Sequence, residues 1–360
     1  MASSSASLDG DTAAPDDLFL SGAAQRLRAG DRFPNFILAD QDGVFRSFVQ
    51  RGRGLAQLIV LDPGDAFVDA LAGLAGALVA AELECLGIAG AVRPFAGATL
   101  LADPAGKIRP ALRAMSGCGN RDSAGFLLDR NQRLLALAPE GIAAGDLAAW
   151  ALAEWLKRRQ DEPAHLLGQV APILTVPNVL SRAQCAALIE RWHTHGHEAG
   201  LVSSLVQGEQ VRRVYDDMKR RTDHRITDPA VGRPLTTLVA RRLGPELDKA
   251  FHFRNYRFDR MVVVCYDSER GDYFRRHRDN QTPENANRRF ALTVNLNSDE
   301  YEGGELTFPE YGPYRYKPPA GGAVVFSCSL LHEALPVTRG RRFALLSFLR
   351  DVDGPADSAG

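Results

Sequence analysis

No stretch of the 360 residues is apolar over the roughly 18–20 positions that a membrane-spanning helix needs. The opening segment, MASSSASLDGDTAAPDD, has neither the basic start nor the apolar core of a secretory signal and reads as a disordered tail, taken as 1–22. Cysteine is scarce. The five (Cys85, Cys118, Cys185, Cys265 and Cys328) form no CxxC pair, which argues against a disulfide framework and suits a reducing, cytoplasmic setting. Neither sign of charge dominates: 43 Lys and Arg face 44 Asp and Glu, so no global field points to nucleic acid or to a membrane as partner. What remains, 45% apolar and 24% charged residues, is an ordinary globular composition, and the length suffices for two domains.

The first half alternates strands and helices. Gly30 to Leu38 leads as a strand into an Asp40–Gly43 turn. Leu58–Leu61 and Leu83–Ile88 are short apolar runs of the buried-strand kind, and the Ala- and Leu-rich stretch 66–81 is helical. Gly125–Asp129 and Arg133–Leu137 flank a hairpin turn. Residues 146–159 place Leu147, Ala148, Ala151, Leu152 and Trp155 on one helical face, with Lys157, Arg158 and Arg159 suited to the C-terminal dipole. The pattern predicts an α/β sandwich.

Gln160–Pro163 breaks that helix, and 161–170 reads as a linker between a domain at 23–160 and another at 171–354. Ser181 and Gln184 make a capping box for a helix with Cys185, Leu188, Ile189 and Trp192 inward and Gly196 as its stop. A second helix is expected at about 233–243. Strands are then expected at 261–266, 291–296, 305–308, 323–328 and 343–349, which predicts a helix-supported β-barrel or jelly roll.

Within this second half lie His277, Asp279 and His332, two imidazoles and a carboxylate, the facial-triad donor set of non-haem Fe(II). On a strand, positions i and i+2 share a face, so His277 and Asp279 can aim at one metal while His332 arrives from a strand alongside. Arg342 sits ten places beyond His332, where a cation can hold an anionic co-substrate. Strand alternation turns only one of Arg341 and Arg342 inward. Thr293 and Asn295 share a face of a neighbouring strand and are further candidates for lining a pocket.

Four ordered segments carry a resemblance. They are the Tyr266 loop ending in GDYFRRHRD, the turn YEGGEL (301–306), the strand PAGGAVVF (319–326), and HEALPVTRGRR (332–342). Together they resemble the prolyl 4-hydroxylase-like branch of the Fe(II)/2-oxoglutarate dioxygenases over residues 171–352. The resemblance implies a double-stranded β-helix holding Fe(II) through His277, Asp279 and His332. It implies 2-oxoglutarate bound at its far carboxylate by Arg342 with Tyr266 as a hydrogen-bond donor, O2 as second co-substrate, and ascorbate as an accessory reductant. The implied reaction hydroxylates an unactivated C–H and releases succinate and CO2. A carboxylate at Asp279, where related halogenases carry a small residue, implies hydroxylation. The implied substrate is a prolyl or peptidyl group, an amino acid or another small molecule.

GDRFPNFILADQDG (30–43) and GFLLDRNQRLLAL (125–137) resemble a peroxiredoxin or related thioredoxin-like domain over about 24–160. The chain departs from that family where it matters. The places of the family's Thr and peroxidatic Cys, counted from Pro63, hold Phe67 and Ala70, so the thiolate that peroxide chemistry needs is missing. A thiol peroxidase would have to work through Cys118, which reads instead as a small loop residue; the other role open to this domain is protein docking.

His193, His195 and His197 read as helix-end residues, not as a second metal site. The runs Lys219–Arg221 and Arg275, Arg276 and Arg278 read as solvated faces, the second close enough to the triad to meet an acidic substrate. Glu333 reads as an exposed residue or a support for His332. The segments 199–230 and 281–289 are the expected lid elements.

Overall fold

The computed structural model describes residues 26–91, 97–117, 124–159, 164, 166–206, 209–213 and 217–352. The chain divides into two compact units that meet in sequence at His165 and Leu166. The expected tail and the Gln160–Pro163 break lie outside the described residues.

In the first unit, β1 (Ile37–Asp40), β2 (Phe45–Ser47), β3 (Ala56–Leu61), β4 (Leu83–Ala89), β5 (Thr99–Ala102), β6 (Ala124–Leu128) and β7 (Leu134–Leu137) form one sheet in the order β2-β1-β5-β4-β3-β6-β7. The pairs β3–β4 and β4–β5 are parallel. Its helices are α1 (Asp65–Ala80), α2 (Ile108–Ser116) and α3 (Leu147–Arg158). Every residue of β3 is buried, because both faces of the sheet are covered. Phe67, Leu71, Leu147, Ala151 and Trp155 of α1 and α3 pack on one side, and Leu112 of α2 with Phe33, Phe36 and Phe48 on the other.

The expected buried strands, hairpin and helices of this half are present, but the strand expected from Gly30 begins only at Ile37, as β1. Three elements, β2, β5 and α2, go beyond the sequence reading. Pro110 sits in the first turn of α2, where its missing N–H costs nothing. The Asp103 carboxylate accepts the N–H groups of Lys107, Ile108 and Arg109 and so starts the helix.

The second unit runs through β8 (Leu174–Val176), α4 (Arg182–Thr194), β9 (Glu198–Ala199), the hairpin β10 (Val202–Val206) and β11 (Glu209–Arg213), β12 (Lys219–Arg220), β13 (Thr222–Arg225) and α5 (Pro229–Phe251). Then follow β14 (Tyr256–Phe258), β15 (Val262–Asp267), β16 (Tyr273–His277), β17 (Arg288–Asn295), β18 (Glu302–Gly303), β19 (Leu306–Thr307) and β20 (Arg315–Tyr316). The last four are β21 (Ala323–Ser327), β22 (His332–Ala334), β23 (Val337–Arg339) and β24 (Arg341–Asp351). A large antiparallel sheet has the order β8-β21-β17-β24-β15-β13-β9, with β14 beside β24, and a smaller one the order β12-β16-β22-β19-β20. From β15 onward the chain passes back and forth between the two.

Strand alternation separates two cores. Val263 and Cys265 of β15 and Phe343 and Leu345 of β24 face the helices, meeting Leu188, Trp192, Leu235, Val239 and Leu243. Their neighbours Val262, Val264, Tyr266 and Ala344 face the smaller sheet, meeting Leu306, Phe308, Ala334 and Val337.

The Ser181–Gln184 capping box forms as expected. Helix α5 is longer than 233–243. Asp228 caps it with Pro229 in the first turn, and Pro234 and Pro245 lie inside it. Each interior proline forfeits a hydrogen bond. The fully inward row Val231, Leu235, Val239, Leu243 and Leu247 compensates by packing on the sheet. Strands also precede and separate the helices (β8 to β13), so this half is not two helices followed by strands.

Candidate active site

His277 ends β16 and His332 begins β22, and the two are Cα partners across those strands. Their ring centroids are 4.2 Å apart. Asp279 is not on the strand, so the i, i+2 argument does not place it. It lies in the turn just beyond, and its N–H donates to the Cys328 carbonyl at 2.9 Å. The result is the same convergence: His277 Nε2 lies 3.4 Å from one Asp279 oxygen and His332 Nε2 3.4 Å from the other. Among the described residues this is the one group of three such ligands gathered within 4.8 Å.

The protonation pattern fits a cation. The Nδ1 of His277 lies 2.7 Å from the Arg275 carbonyl and that of His332 3.0 Å from the Leu330 carbonyl. A carbonyl only accepts, so each Nδ1 carries the proton and each Nε2 is a bare lone pair. Burial pushes His332 down to about 4, which keeps its ring neutral. Two lone pairs facing a carboxylate at this range repel unless a cation lies between them.

The triad opens into a cavity of about 460 Å³, of the size that small ligands occupy. Arg342, Tyr266 and Thr293 line it. Arg342 and Tyr266 are Cα partners on β24 and β15, and the guanidinium carbon is 5.1 Å from the phenol ring centre. Arg341 points the other way, exposed, and donates to Asp267 at 2.8 Å. Buried Arg342 Nε and Thr293 Oγ1 have no hydrogen-bond partner. Orphaned donors on one cavity wall are what an incoming carboxylate satisfies. Asn295, by contrast, is spent on structure: its amide donates to the Tyr301 hydroxyl and the Pro318 carbonyl, each at 3.2 Å.

Two motifs shape this wall. Gly303 and Gly304 both have positive φ (73° and 67°), and a Cβ on Gly304 would meet Val337 at 2.9 Å and Arg342 Cδ at 3.0 Å. The tight GG turn therefore sets how closely the Val337–Arg342 segment approaches. The Tyr266–His277 loop folds on buried Asp272, which accepts from the Asp267 N–H at 2.9 Å.

The run Lys219–Arg221 is not a solvated face. Lys219 is buried and Arg221 half-buried, and both line the cavity with Asp223. Burial, reinforced by the nearby Arg221 charge, pushes Lys219 down to about 7. The alternation of 219, 221 and 223 puts these polar groups on one face, and the pairing of β12 with β16 and β13 with β15 turns that face inward. Of the second basic run, Arg278 lines the cavity and pairs with Glu310 at 2.6 Å, while Arg275 and Arg276 are exposed. Glu333 accepts from Thr307 at 3.2 Å and Arg276 at 3.4 Å, supporting the turn rather than His332. Parts of both expected lids, Leu201 and Met218 from one and Gln281 and Glu284 from the other, line the cavity.

Among the described residues, His193, His195 and His197 gather no metal-ligand group. His197 stacks on Trp192 at 3.7 Å, and His193 lies edge-on to it. In the first unit Phe67 is wholly buried and Ala70 half-buried on α1, and burial pushes the Cys85 thiol up to about 12. Cys118 lies outside the described residues. No described helix is long and apolar enough to cross a membrane.

Residues 261–350 match the family model of the 2OG-Fe(II) oxygenase superfamily. A PKHD-type hydroxylase of Xylella fastidiosa (strain M12) is 30% identical over 190 residues, covering 50% of this chain and 79% of that protein. Among solved structures, a viral collagen prolyl hydroxylase from Paramecium bursaria Chlorella virus-1 is 20% identical, with a TM-score of 0.38, over 50% of this chain and 96% of that one. The peroxidoxin BcpB of Mycobacterium tuberculosis is 18% identical, with a TM-score of 0.31, over 38% of this chain and 100% of that one. With its triad, its cavity and its extended match to the Xylella protein, the chain belongs to the 2OG-Fe(II) oxygenase superfamily, alongside the PKHD-type hydroxylases.

Proposed function

We propose that this hydroxylase holds Fe(II) with His277, Asp279 and His332 and the far carboxylate of 2-oxoglutarate with Arg342, assisted by Tyr266 and Thr293. Its substrate is a prolyl, peptidyl or amino-acid-like group, hydroxylated at an unactivated C–H with release of succinate and CO2. The observation that carries this reading is the buried, unpartnered Arg342 Nε in the cavity that the triad opens into. The two sheets and their shared inner core support a double-stranded β-helix as the scaffold.

When bound, iron and 2-oxoglutarate supply the oxidative decarboxylation that delivers one atom of O2 to succinate and the other to the substrate. The protein's part is placement. Arg275 and Leu330 carbonyls fix the imidazole tautomers, and the Cys328 carbonyl fixes the Asp279 turn. Phe326 and Phe308 pack near His332 and keep water from that side, with ring centroids 4.6 and 6.2 Å away. The cavity of about 460 Å³ beside the triad is where 2-oxoglutarate and the reacting group of the substrate would meet. Ascorbate serves as an accessory reductant. The first unit, with Phe67 and Ala70 in place of peroxidatic chemistry, acts as a docking module.

The test is succinate release from 2-oxoglutarate with and without Fe(II), in the protein and in His277→Ala, with mass spectrometry of candidate peptides for one added oxygen atom. Unchanged 2-oxoglutarate turnover in His277→Ala would overturn the assignment.

A further inference from the structure

Arg221 occupies a singular place on the cavity wall. Its Nε donates to one Asp223 oxygen at 2.7 Å and its Nη2 to the other at 3.2 Å, a two-point clamp that fixes the plane of the guanidinium. The remaining arm, Nη1, reaches the Tyr266 hydroxyl at 3.0 Å. Neighbouring strands set up the arrangement: Asp223 lies on β13, which pairs with β15, and Tyr266 lies on β15 opposite Arg342 of β24.

A guanidinium has only donors. The Tyr266 oxygen must therefore accept, and its own hydrogen has to point elsewhere. Tyr266 is buried, and among the described residues nothing takes that hydrogen. The guanidinium carbons of Arg221 and Arg342 lie 5.7 and 5.1 Å from the Tyr266 ring centre, so the phenol has two cations close to it, one clamped and the other with an unpartnered Nε. A clamped Arg221 thus does two things. It fixes the direction of the one proton Tyr266 can give, and it polarises that O–H bond, which strengthens the hydrogen bond it makes to an anion.

We propose that Arg221, held by Asp223, is a positioning residue for the co-substrate: it orients the Tyr266 hydroxyl so that its hydrogen is donated to the far carboxylate of 2-oxoglutarate beside Arg342. This rests on the assignment of Arg342 and Tyr266 to that carboxylate. Arg221 does not itself touch 2-oxoglutarate; its effect passes through one phenol.

The experiment measures equilibrium binding of 2-oxoglutarate by calorimetry on the full chain loaded with Mn(II), so that no turnover intervenes. Arg221→Gln and Tyr266→Phe are each expected to weaken binding about 10-fold, the size of one charge-assisted hydrogen bond. The double variant should lose about the same 10-fold and no more, because both changes remove one interaction. Pyruvate, which shares the 2-oxo acid head but has no far carboxylate, should bind all of them alike. Arg221→Lys keeps a charge beside Asp223 and so guards against unfolding; an ammonium cannot clamp Asp223 at two points and reach Tyr266, so the same loss is expected.

Additive losses in the double variant, an equal loss for pyruvate, or unchanged 2-oxoglutarate binding in both Arg221 variants would overturn the proposal. If Tyr266→Phe and Arg342→Ala bind 2-oxoglutarate as the unaltered protein does, the underlying assignment fails instead.

Discussion

Asp279 hangs from Cys328: a single backbone hydrogen bond of 2.9 Å ties the turn after β16 to the residue just past the end of β21. That tie turns the carboxylate back toward His277 and His332 although it has left the strand. The triad is therefore a product of three segments, and each ligand is expected to be indispensable.

Replacing any of the three removes a donor from a site that needs all of them. His332→Ala and Asp279→Ala are each expected to reduce Fe(II)-dependent succinate release by at least about 100-fold, beyond what loss of a supporting group costs. Metal affinity, read by calorimetry with Mn(II), should fall in parallel. Chelation of the metal from the unaltered protein should lower its Tm, since a ligand bound to the folded state alone stabilises it.

Arg341 and Arg342 are adjacent but point to opposite faces of β24. Arg342→Ala is expected to raise the KM for 2-oxoglutarate about 100-fold, in line with truncating one partner of a buried charge pair. Arg341→Ala removes a surface ion pair with Asp267 and should leave that KM within about 2-fold. The reverse ranking would reassign the co-substrate anchor.

Gly304 has φ +67°, and a Cβ there would sit 3.0 Å from Arg342 Cδ. Gly304→Ala is expected to cost about 1–3 kcal/mol of backbone strain and to displace Arg342. Chemical denaturation should show the stability loss, and steady-state kinetics a raised KM for 2-oxoglutarate. Stability lost with KM unchanged would show that the turn does not set the position of Arg342.

Asp259 ties Arg288 and Arg350 together, each at 2.9 Å, in the larger sheet. Burial raises its pKa, but the Arg288 charge, the Arg260 N–H and Arg350 outweigh it and hold the carboxyl well below its ordinary value. A depressed folded-state pKa contributes stability that is fully present above the unfolded value and lost as pH falls through the folded one. Acid should therefore destabilise the protein below about pH 4. Asp259→Asn, which leaves two buried guanidiniums without their carboxylate, is expected to cost about 3–5 kcal/mol at neutral pH and to flatten that acid limb. Unfolding curves between pH 3 and 7 decide it.

Cys85, Cys185 and Cys265 are buried, with thiols pushed up to about 12 by burial. They are expected to resist a thiol reagent in the native protein and to react once it is unfolded. Rapid native labelling at Cys85 would reopen peroxide chemistry in the first unit.

Much of the site was legible because its signals are local. The His277–Asp279 spacing, the distance from His332 to Arg342 and the glycine pair at 303 and 304 are set by the chain itself, and alternation along β24 separates Arg342 from Arg341 whatever surrounds them. The buried runs at 58–61 and 83–88 and the capping box at Ser181 are equally local, and each formed the expected element.

What the sequence left open depended on partners distant along the chain. A helix was expected only at about 233–243; α5 runs from Pro229 to Phe251 through two interior prolines, and the sheet beneath it supplies the packing that keeps it whole. The Lys219–Arg221 run looked like solvent-facing charge. It is inward because β12 pairs with β16 and β13 with β15, which places Arg221 between Asp223 and Tyr266. Periodicity determines which residues share a face. Which face looks into the cavity, and what waits there to pair with a charge, is decided only when the strands assemble, because burial and ion pairing are properties of the neighbours and not of the residue.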